Sequence, residues 1–263
     1  MTGTPAIGVL HAPAHWRVVD FISDLHLHAG EPDTFAAWAR YIRHTPADAV
    51  FILGDLFEVW VGDDAALPGS FEDSCAQVLT AAATRTQVYF MHGNRDFLVG
   101  SAFLSRCGVQ PLADPTALHG MGQVWLLTHG DLLCTEDVAY QQFRRQVRAP
   151  QWQAAMLARP LAERQAIGRQ MRAQSQAQQG EHAPGYDRID TPLARQWLSA
   201  AGAHALIHGH THAPGDHDLG RNAQGQALTQ HVLSDWHVTP GQQRMQVLRL
   251  STAGLARVPP EAG

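Results

Sequence analysis

Five apolar, β-rich runs in this chain each end in a short polar cluster, and that repeat constrains the fold more than any other feature. Val18 to Ile22 leads into Ser23-Asp24-Leu25-His26, Ala49 to Leu53 into Gly54-Asp55, and Val88 to Met91 into His92-Gly93-Asn94-Arg95-Asp96. Val124 to Thr128 leads into His129-Gly130-Asp131, and Ala205 to Ile207 into His208-Gly209-His210. Each run has the length of an ordinary strand. Between the first two, Phe35, Trp38, Ala39 and Ile42 recur at i, i+3, i+4 and i+7, which predicts an amphipathic helix over Thr34 to Arg43. Phe71 to Thr84 also reads as helical. Strands alternating with helices predict an α/β layered core, in which ligands gather where strands end on their carboxyl side. The polar clusters stand at those ends. Two later apolar runs, Gln230 to Ser234 and Arg244 to Leu250, are expected to close a second sheet.

With 263 residues the chain can bury a large core. Residues 1–15 lack a basic start and a long apolar stretch, and are expected to form a flexible tail rather than a secretory signal. The main domain is expected over 16–250, with a second tail over 251–263. No apolar run reaches the length of a spanning helix. Cys75, Cys107 and Cys134 are odd in number and lack metal-type spacing, so neither a disulfide framework nor a thiolate zinc site is expected, and a reducing cytoplasm fits. A net charge of −5 argues against a nucleic-acid partner. All 19 basic residues are arginine, so any anion must be held by Arg, His or backbone N–H groups.

From Tyr140 to Ser175 the pattern is helical and carries seven arginines against the single acid Glu163, a formal +6. Pro150 and Pro160 should break it into short helices, with Trp152, Met156, Leu157, Leu161, Ile167 and Met171 as apolar anchors. This segment, within 135–190, reads either as a solvated helical insertion or as a cap suited to an anionic, partly apolar ligand or an anionic membrane surface.

Asp24 and His26 lie two apart at a strand end, where extended geometry would send both side chains to one side. His208 and His210 repeat that spacing around Gly209, while Asp55, Asn94 and His129 follow three other strands. Collected at one sheet edge, these seven oxygen and nitrogen donors exceed what one cation takes from protein if water and substrate also bind. Two cations sharing Asp55 account for the surplus.

The ordered set DLH, GD, GNRD, HGD and HGHTH, spread over about residues 18 to 240, resembles the calcineurin-like metallophosphoesterase superfamily. The resemblance implies a four-layer αββα sandwich and a dinuclear centre, commonly manganese, that activates a hydroxide. Carried over by motif, Asp24, His26, Asp55 and His210 would hold one cation, and Asp55, Asn94, His129 and His208 the other. Asn94, Arg95 and His208 would act on the reacting phosphate. Two positions depart from the usual pattern: Glu58 ends the GDxxD element, and Arg95 stands where a histidine is usual. Arginine stabilises charge but donates no proton at neutral pH. An alkoxide leaving group needs that proton, whereas a phosphate leaving group has a second pKa of about 6 and departs without it. The substitution therefore favours diphosphate hydrolysis.

Longer strings narrow the match. Residues 54–64 (GDLFEVWVGDD), 92–100 (HGNRDFLVG), 129–145 (HGDLLCTEDVAYQQFRR), 171–175 (MRAQS) and 208–214 (HGHTHAP) resemble the UDP-2,3-diacylglucosamine diphosphatase family of lipid A biosynthesis. This implies cleavage of a lipid-linked nucleotide to UMP and 2,3-diacylglucosamine 1-phosphate at the cytoplasmic face of the inner membrane, with the arginine-rich insertion as a helical lid. Asn94, Arg95, Asp137, Arg172, Ser175 and His210 would face substrate. Where the family has an Asn and a Lys after the serine, this chain has Gln179 and His182, the latter only partly charged near neutrality. The alternative is a metal-dependent nucleotide or dinucleoside polyphosphate hydrolase, which needs no acyl-chain groove. Oligomeric state is left open.

Overall fold

The computed structural model describes residues 3–179 and 188–260, excepting the side chains of 174–179. Two six-stranded sheets face each other. The first runs β14 (Gly254–Val258), β13 (Val247–Ser251), β2 (Val18–Ile22), β3 (Ala49–Leu53), β4 (Gln87–Met91), β5 (Gln110–Leu112). The second runs β1 (Gly8–His11), β6 (Thr116–Gly120), β7 (Gln123–Leu127), β8 (Ala205–His208), β10 (Ala227–Val232), β9 (Gly215–Arg221). A hairpin of β11 (His237–Thr239) and β12 (Gln242–Arg244) stands apart.

Strand alternation assigns the layers. Ile22, Val50, Ile52, Val88 and Phe90 turn outward and pack under α1 (Pro32–His44), α2 (Phe71–Ala83) and α3 (Ser101–Cys107). Their neighbours Val19, Phe21, Phe51, Leu53, Tyr89 and Met91 turn inward to meet Leu118, Trp125, Leu127 and Ile207 of the second sheet. On the far face, Leu126 and Leu206 pack under Ala194, Trp197 and Leu198 of α7 (Thr191–Ala201). Helices, sheet, sheet and helix make the four expected layers.

Several expected boundaries move. The two late apolar runs do not share a sheet: β10 pairs with β8 in the second, whereas β13 runs antiparallel to β2 in the first. The expected tails are partly strands. Gly8–His11 pairs in parallel with β6, and Gly254–Val258 returns along β13 through a tight turn in which Gly254 has φ of +106°. Both are edge strands. Each offers the inner face only one apolar residue, Leu10 or Leu255, while Val9 is 62% exposed, so neither segment carries a long core pattern.

The insertion folds as α4 (Val138–Val147), α5 (Pro150–Leu157) and α6 (Leu161–Gln179), with Pro150 opening α5 and Pro160 just before α6. Met156 is buried, and Trp152, Ile167 and Met171 pack on the main core, whereas Leu157 stays 43% exposed. One face of α6 is fitted to the loop after β3. Arg164, 3% exposed, pairs with Asp64 and donates to the Val61 carbonyl. One turn on, Gly168 lies so close that an added Cβ would sit 2.8 Å from Val59 Cγ1 and 3.0 Å from Val61 Cγ1. Arg172, another turn on, pairs with Glu58. Gly168→Leu is expected to overpack this seam at a cost of about 1–3 kcal/mol, more than the roughly 1 kcal/mol of helix propensity it adds. Hydrogen exchange should then quicken in α6 and not in the sheets; unchanged protection would mean that the seam is loose.

Candidate metal centre

The five polar clusters gather across two sheets rather than along one edge. Clusters after β2, β3 and β4 meet those after β7 and β8 where the sandwich layers end on the same side. Glycine permits the approach: a Cβ on Gly93 would overlap the Asp55 carboxylate, and one on Gly209 would overlap that of Asp24. The loops are also strained. Asp24, His26, Asp55, His210 and His212 all have φ between 48° and 65°, a left-handed conformation uncommon outside glycine. Such strain clusters at functional sites.

Two donor groups emerge. Asp24, His26 and His212 form one and Asp24, Asp55 and His129 the other, with ligand atoms in each within 4.8 Å of one another. His26 Nε2 lies 3.2 Å from His212 Nε2, and His212 Nε2 lies 3.4 Å from Asp24 Oδ1. Asp55 Oδ2 stands between the groups, 4.0 Å from His26 Nε2 and 3.8 Å from His129 Nε2, as a shared ligand should. Asn94 Oδ1 joins the second group, 2.8 Å from His129 Nε2 and 2.9 Å from His210 Nδ1. The His210 backbone N–H donates to Asp24, at 2.9 Å from Oδ2.

This corrects the ligand set read from sequence. His208 ends β8 and is fully buried with both ring nitrogens engaged: Nδ1 donates to the Gly209 carbonyl at 2.8 Å, and Nε2 accepts from Gln230 Nε2 at 2.9 Å. Burial pushes its pKa down to about 4, so the ring is neutral with no free lone pair. His212, absent from the expected set, takes a place beside Asp24 and His26, and His210 moves from that group to the side of Asn94 and His129. The string HGHTH was the available signal, because it holds a second pair of histidines two apart, His210 and His212, one step after the pair around Gly209. Extended geometry also failed for Asp24 and His26, since both lie beyond β2 in left-handed backbone.

The donors fit divalent cations. His129 Nδ1 can only donate to the Leu53 carbonyl, 2.9 Å away, which leaves the Nε2 lone pair of the neutral ring facing Asn94 Oδ1, another acceptor. Something positive must stand between them. A proton does so in part: although burial disfavours it, Asp55, Asp131 and Asp24 raise the His129 pKa to about 9. A cation supplies the same charge, and the Leu53 contact is the outer hydrogen bond that orients a metal-bound imidazole. Carboxylate, amide and imidazole suit a borderline or hard divalent ion.

Supporting groups surround these donors. Asp96, fully buried, accepts from Leu56 N at 2.7 Å, Phe57 N at 3.3 Å and Gly93 N at 2.8 Å, binding the GD loop to the GN loop. Arg95 donates its backbone N–H to Asp55 Oδ1 at 2.8 Å, and its side-chain Nε is buried with no hydrogen-bond partner among the described residues. The α4 helix reaches in through Tyr140 and Arg144, both on Asp131 Oδ2, and through Arg148 Nη2, which donates to Gly93 O at 2.7 Å. Asp137 caps α4, its Oδ1 accepting from Tyr140 N. Ser175 and Gln179 lie on α6, but their side chains, like all of His182, are outside the described residues. Sequence reading assigned no role to Glu58, Asp131, Tyr140 or Arg148.

The calcineurin-like phosphoesterase family model matches residues 18–214. A UDP-2,3-diacylglucosamine hydrolase of Xanthomonas campestris pv. campestris is 44% identical over 247 residues, covering 90% of this chain and 96% of that protein. Its namesake in Chromobacterium violaceum is 45% identical over 227 residues, covering 83% and 90%. That of Stenotrophomonas maltophilia is 42% identical over 245 residues, covering 89% and 95%. Near-complete alignment at such identity, on a fold whose strand ends assemble the donors described above, makes this chain a member of the calcineurin-like phosphoesterase family and, within it, of the UDP-2,3-diacylglucosamine hydrolases.

Proposed function

We propose that the chain hydrolyses the diphosphate bond of UDP-2,3-diacylglucosamine, giving UMP and 2,3-diacylglucosamine 1-phosphate in lipid A biosynthesis. The observation that carries this reading is the pairing of two donor groups around Asp55 with the arginines Arg95 and Arg172 beside Glu58. Two divalent cations held there, manganese in our reading, would activate water and offset charge at the attacked phosphorus. Asp24, His26, Asp55 and His212 would hold one, and Asp55, Asn94, His129 and His210 the other. Arg95 and Arg172 clamp oxygens of the diphosphate and stabilise charge as the phosphate departs. Neither needs to lend a proton. Asp137 is proposed to bind the sugar phosphate, the role that the family resemblance also implies for Ser175, Gln179 and His182.

Among the described residues no helix is long and apolar enough to cross a membrane. We place the protein in the cytoplasm, docked on the anionic inner-membrane surface. Val138, Phe143 and Leu157 are exposed apolar side chains on the lid helices, and Arg145 and Arg169 are exposed cations there. The formal +6 of the insertion overstates its free charge, because Arg144, Arg164 and Arg172 already face Asp131, Asp64 and Glu58.

A manganese-dependent assay with product identification tests the reading, with UDP-glucose and a simple phosphomonoester as controls. UMP released from the lipid alone is expected; equal cleavage of soluble nucleoside diphosphates would favour the polyphosphate hydrolase. Arg95→His should lower the rate at least ~10-fold, about 1.4 kcal/mol of transition-state stabilisation, without unfolding the protein. Unchanged kinetics would remove Arg95 from the site.

A further inference from the structure

We propose that Glu58 is a positioning residue whose one carboxylate supports both the cation ligand His26 and the α6 arginine Arg172. The inference deepens the reading above and rests on it for the role of Arg172.

Glu58 is 8% exposed, and its carboxylate spans two partners from distant parts of the chain. Oε2 lies 3.0 Å from His26 Nδ1 and Oε1 lies 2.8 Å from Arg172 Nε. Neither contact is an aligned hydrogen bond, since His26 Nδ1 and Arg172 Nε both lack a hydrogen-bond partner among the described residues, so each is a contact of charge and proximity. The backbone fixes the first partner. His26 N donates to Asp55 O at 3.0 Å, Leu27 N to Leu56 O at 2.9 Å and Glu58 N to Leu27 O at 3.2 Å, so the two ligand loops run side by side. The helix fixes the second, since Arg164, Gly168 and Arg172 recur every four residues on the face of α6 that meets residues 58–64.

Each contact does separate work. A negative carboxylate 3.0 Å from Nδ1 favours the proton on that nitrogen, which presents Nε2 and its lone pair to Asp24, Asp55 and His212. The other oxygen occupies one edge of the Arg172 guanidinium and leaves the terminal nitrogens with donors for phosphate. Glutamate suits this position because aspartate, one methylene shorter, cannot span both partners.

Mn2+ titration of the substrate-free protein, followed by the resonance of the free ion, separates this proposal from the identity of the substrate. Glu58→Gln should weaken at least one Mn2+ site by about 10–100-fold. Arg172→Gln should leave Mn2+ affinity within about 3-fold while raising KM for the lipid nucleotide at saturating Mn2+, because it removes a clamp and not a ligand support. In the double variant KM should rise no further than in the worse single variant, since both cut the same link. Wild-type Mn2+ affinity in folded Glu58→Gln overturns the proposal, and so do KM effects that multiply. Should Glu58→Gln fail to fold, Glu58→Asp carries the test. It should recover one of the two readouts, and recovery of both would show that no bridge is needed. If wild type does not cleave the lipid at all, the functional reading fails while the Mn2+ arm still decides whether Glu58 supports His26.

Discussion

His212→Ala is expected to lower bound Mn2+ from two ions per chain to about one and to reduce turnover by on the order of 10³-fold or more, because one cation loses a ligand and the attacked phosphorus loses half of its charge compensation. Asp55→Ala, which removes the ligand between both groups, should do at least as much and weaken both sites. His208→Gln should behave differently. It disturbs a fully buried ring whose two nitrogens are satisfied by Gly209 O and Gln230, so about 1–3 kcal/mol of stability is at stake, with metal stoichiometry retained. Metal content of the three variants, measured after dialysis and beside their thermal melts, decides the matter. If His208→Gln loses an ion while His212→Ala keeps both, the frame of the last motif is the one first read from sequence.

That frame shows what a sequence of this kind does and does not disclose. Strands β2 and β3 fall where the apolar runs predict them, because each is central and buried on both faces. The helix over Thr34 to Arg43 is extended by only a few residues, to Pro32–His44, since its apolar stripe is unbroken. Choosing between His208 and His212 needed the backbone beyond β8. Spacing of two implies a shared side only while the chain stays extended, and His210 and His212 leave the strand with φ of 65° and 49°. Glu58 stood out in the GDxxD element, but its role did not, because its partners come from residues 26 and 172 and no local pattern links such distant segments. The edge strands β1 and β14 were hidden because each is short and sends a single apolar residue, Leu10 or Leu255, to the inner core.

Asp96→Asn is expected to be a strongly destabilising isosteric change. With Mn2+ bound and Asp96 ionised, the carboxylate offers acceptors only, and the three N–H groups of Leu56, Phe57 and Gly93 converge on it. An amide keeps one oxygen and turns a donor toward whichever N–H remains. Each buried donor left without an acceptor costs about 1–3 kcal/mol, so a loss of about 2–4 kcal/mol is expected, together with weaker Mn2+ binding as the loops bearing Asp55 and Asn94 drift apart. The pH dependence supplies a second signature. Burial, and next the neighbouring Asp55 charge, push the Asp96 pKa up to about 7 against the pull of the backbone donors. An acid whose folded pKa lies above its unfolded value near ~3.9 binds more protons when folded, so its contribution to stability declines as pH rises from about 4 through about 7. Metal-free wild type should show that slope and Asp96→Asn should lack it. Mn2+ should flatten the wild-type slope as well, because a cation on Asp55 cancels the charge that helps hold the proton on Asp96. Equal slopes in variant and wild type would mean that Asp96 is ionised throughout and that the backbone donors, not Asp55, govern it.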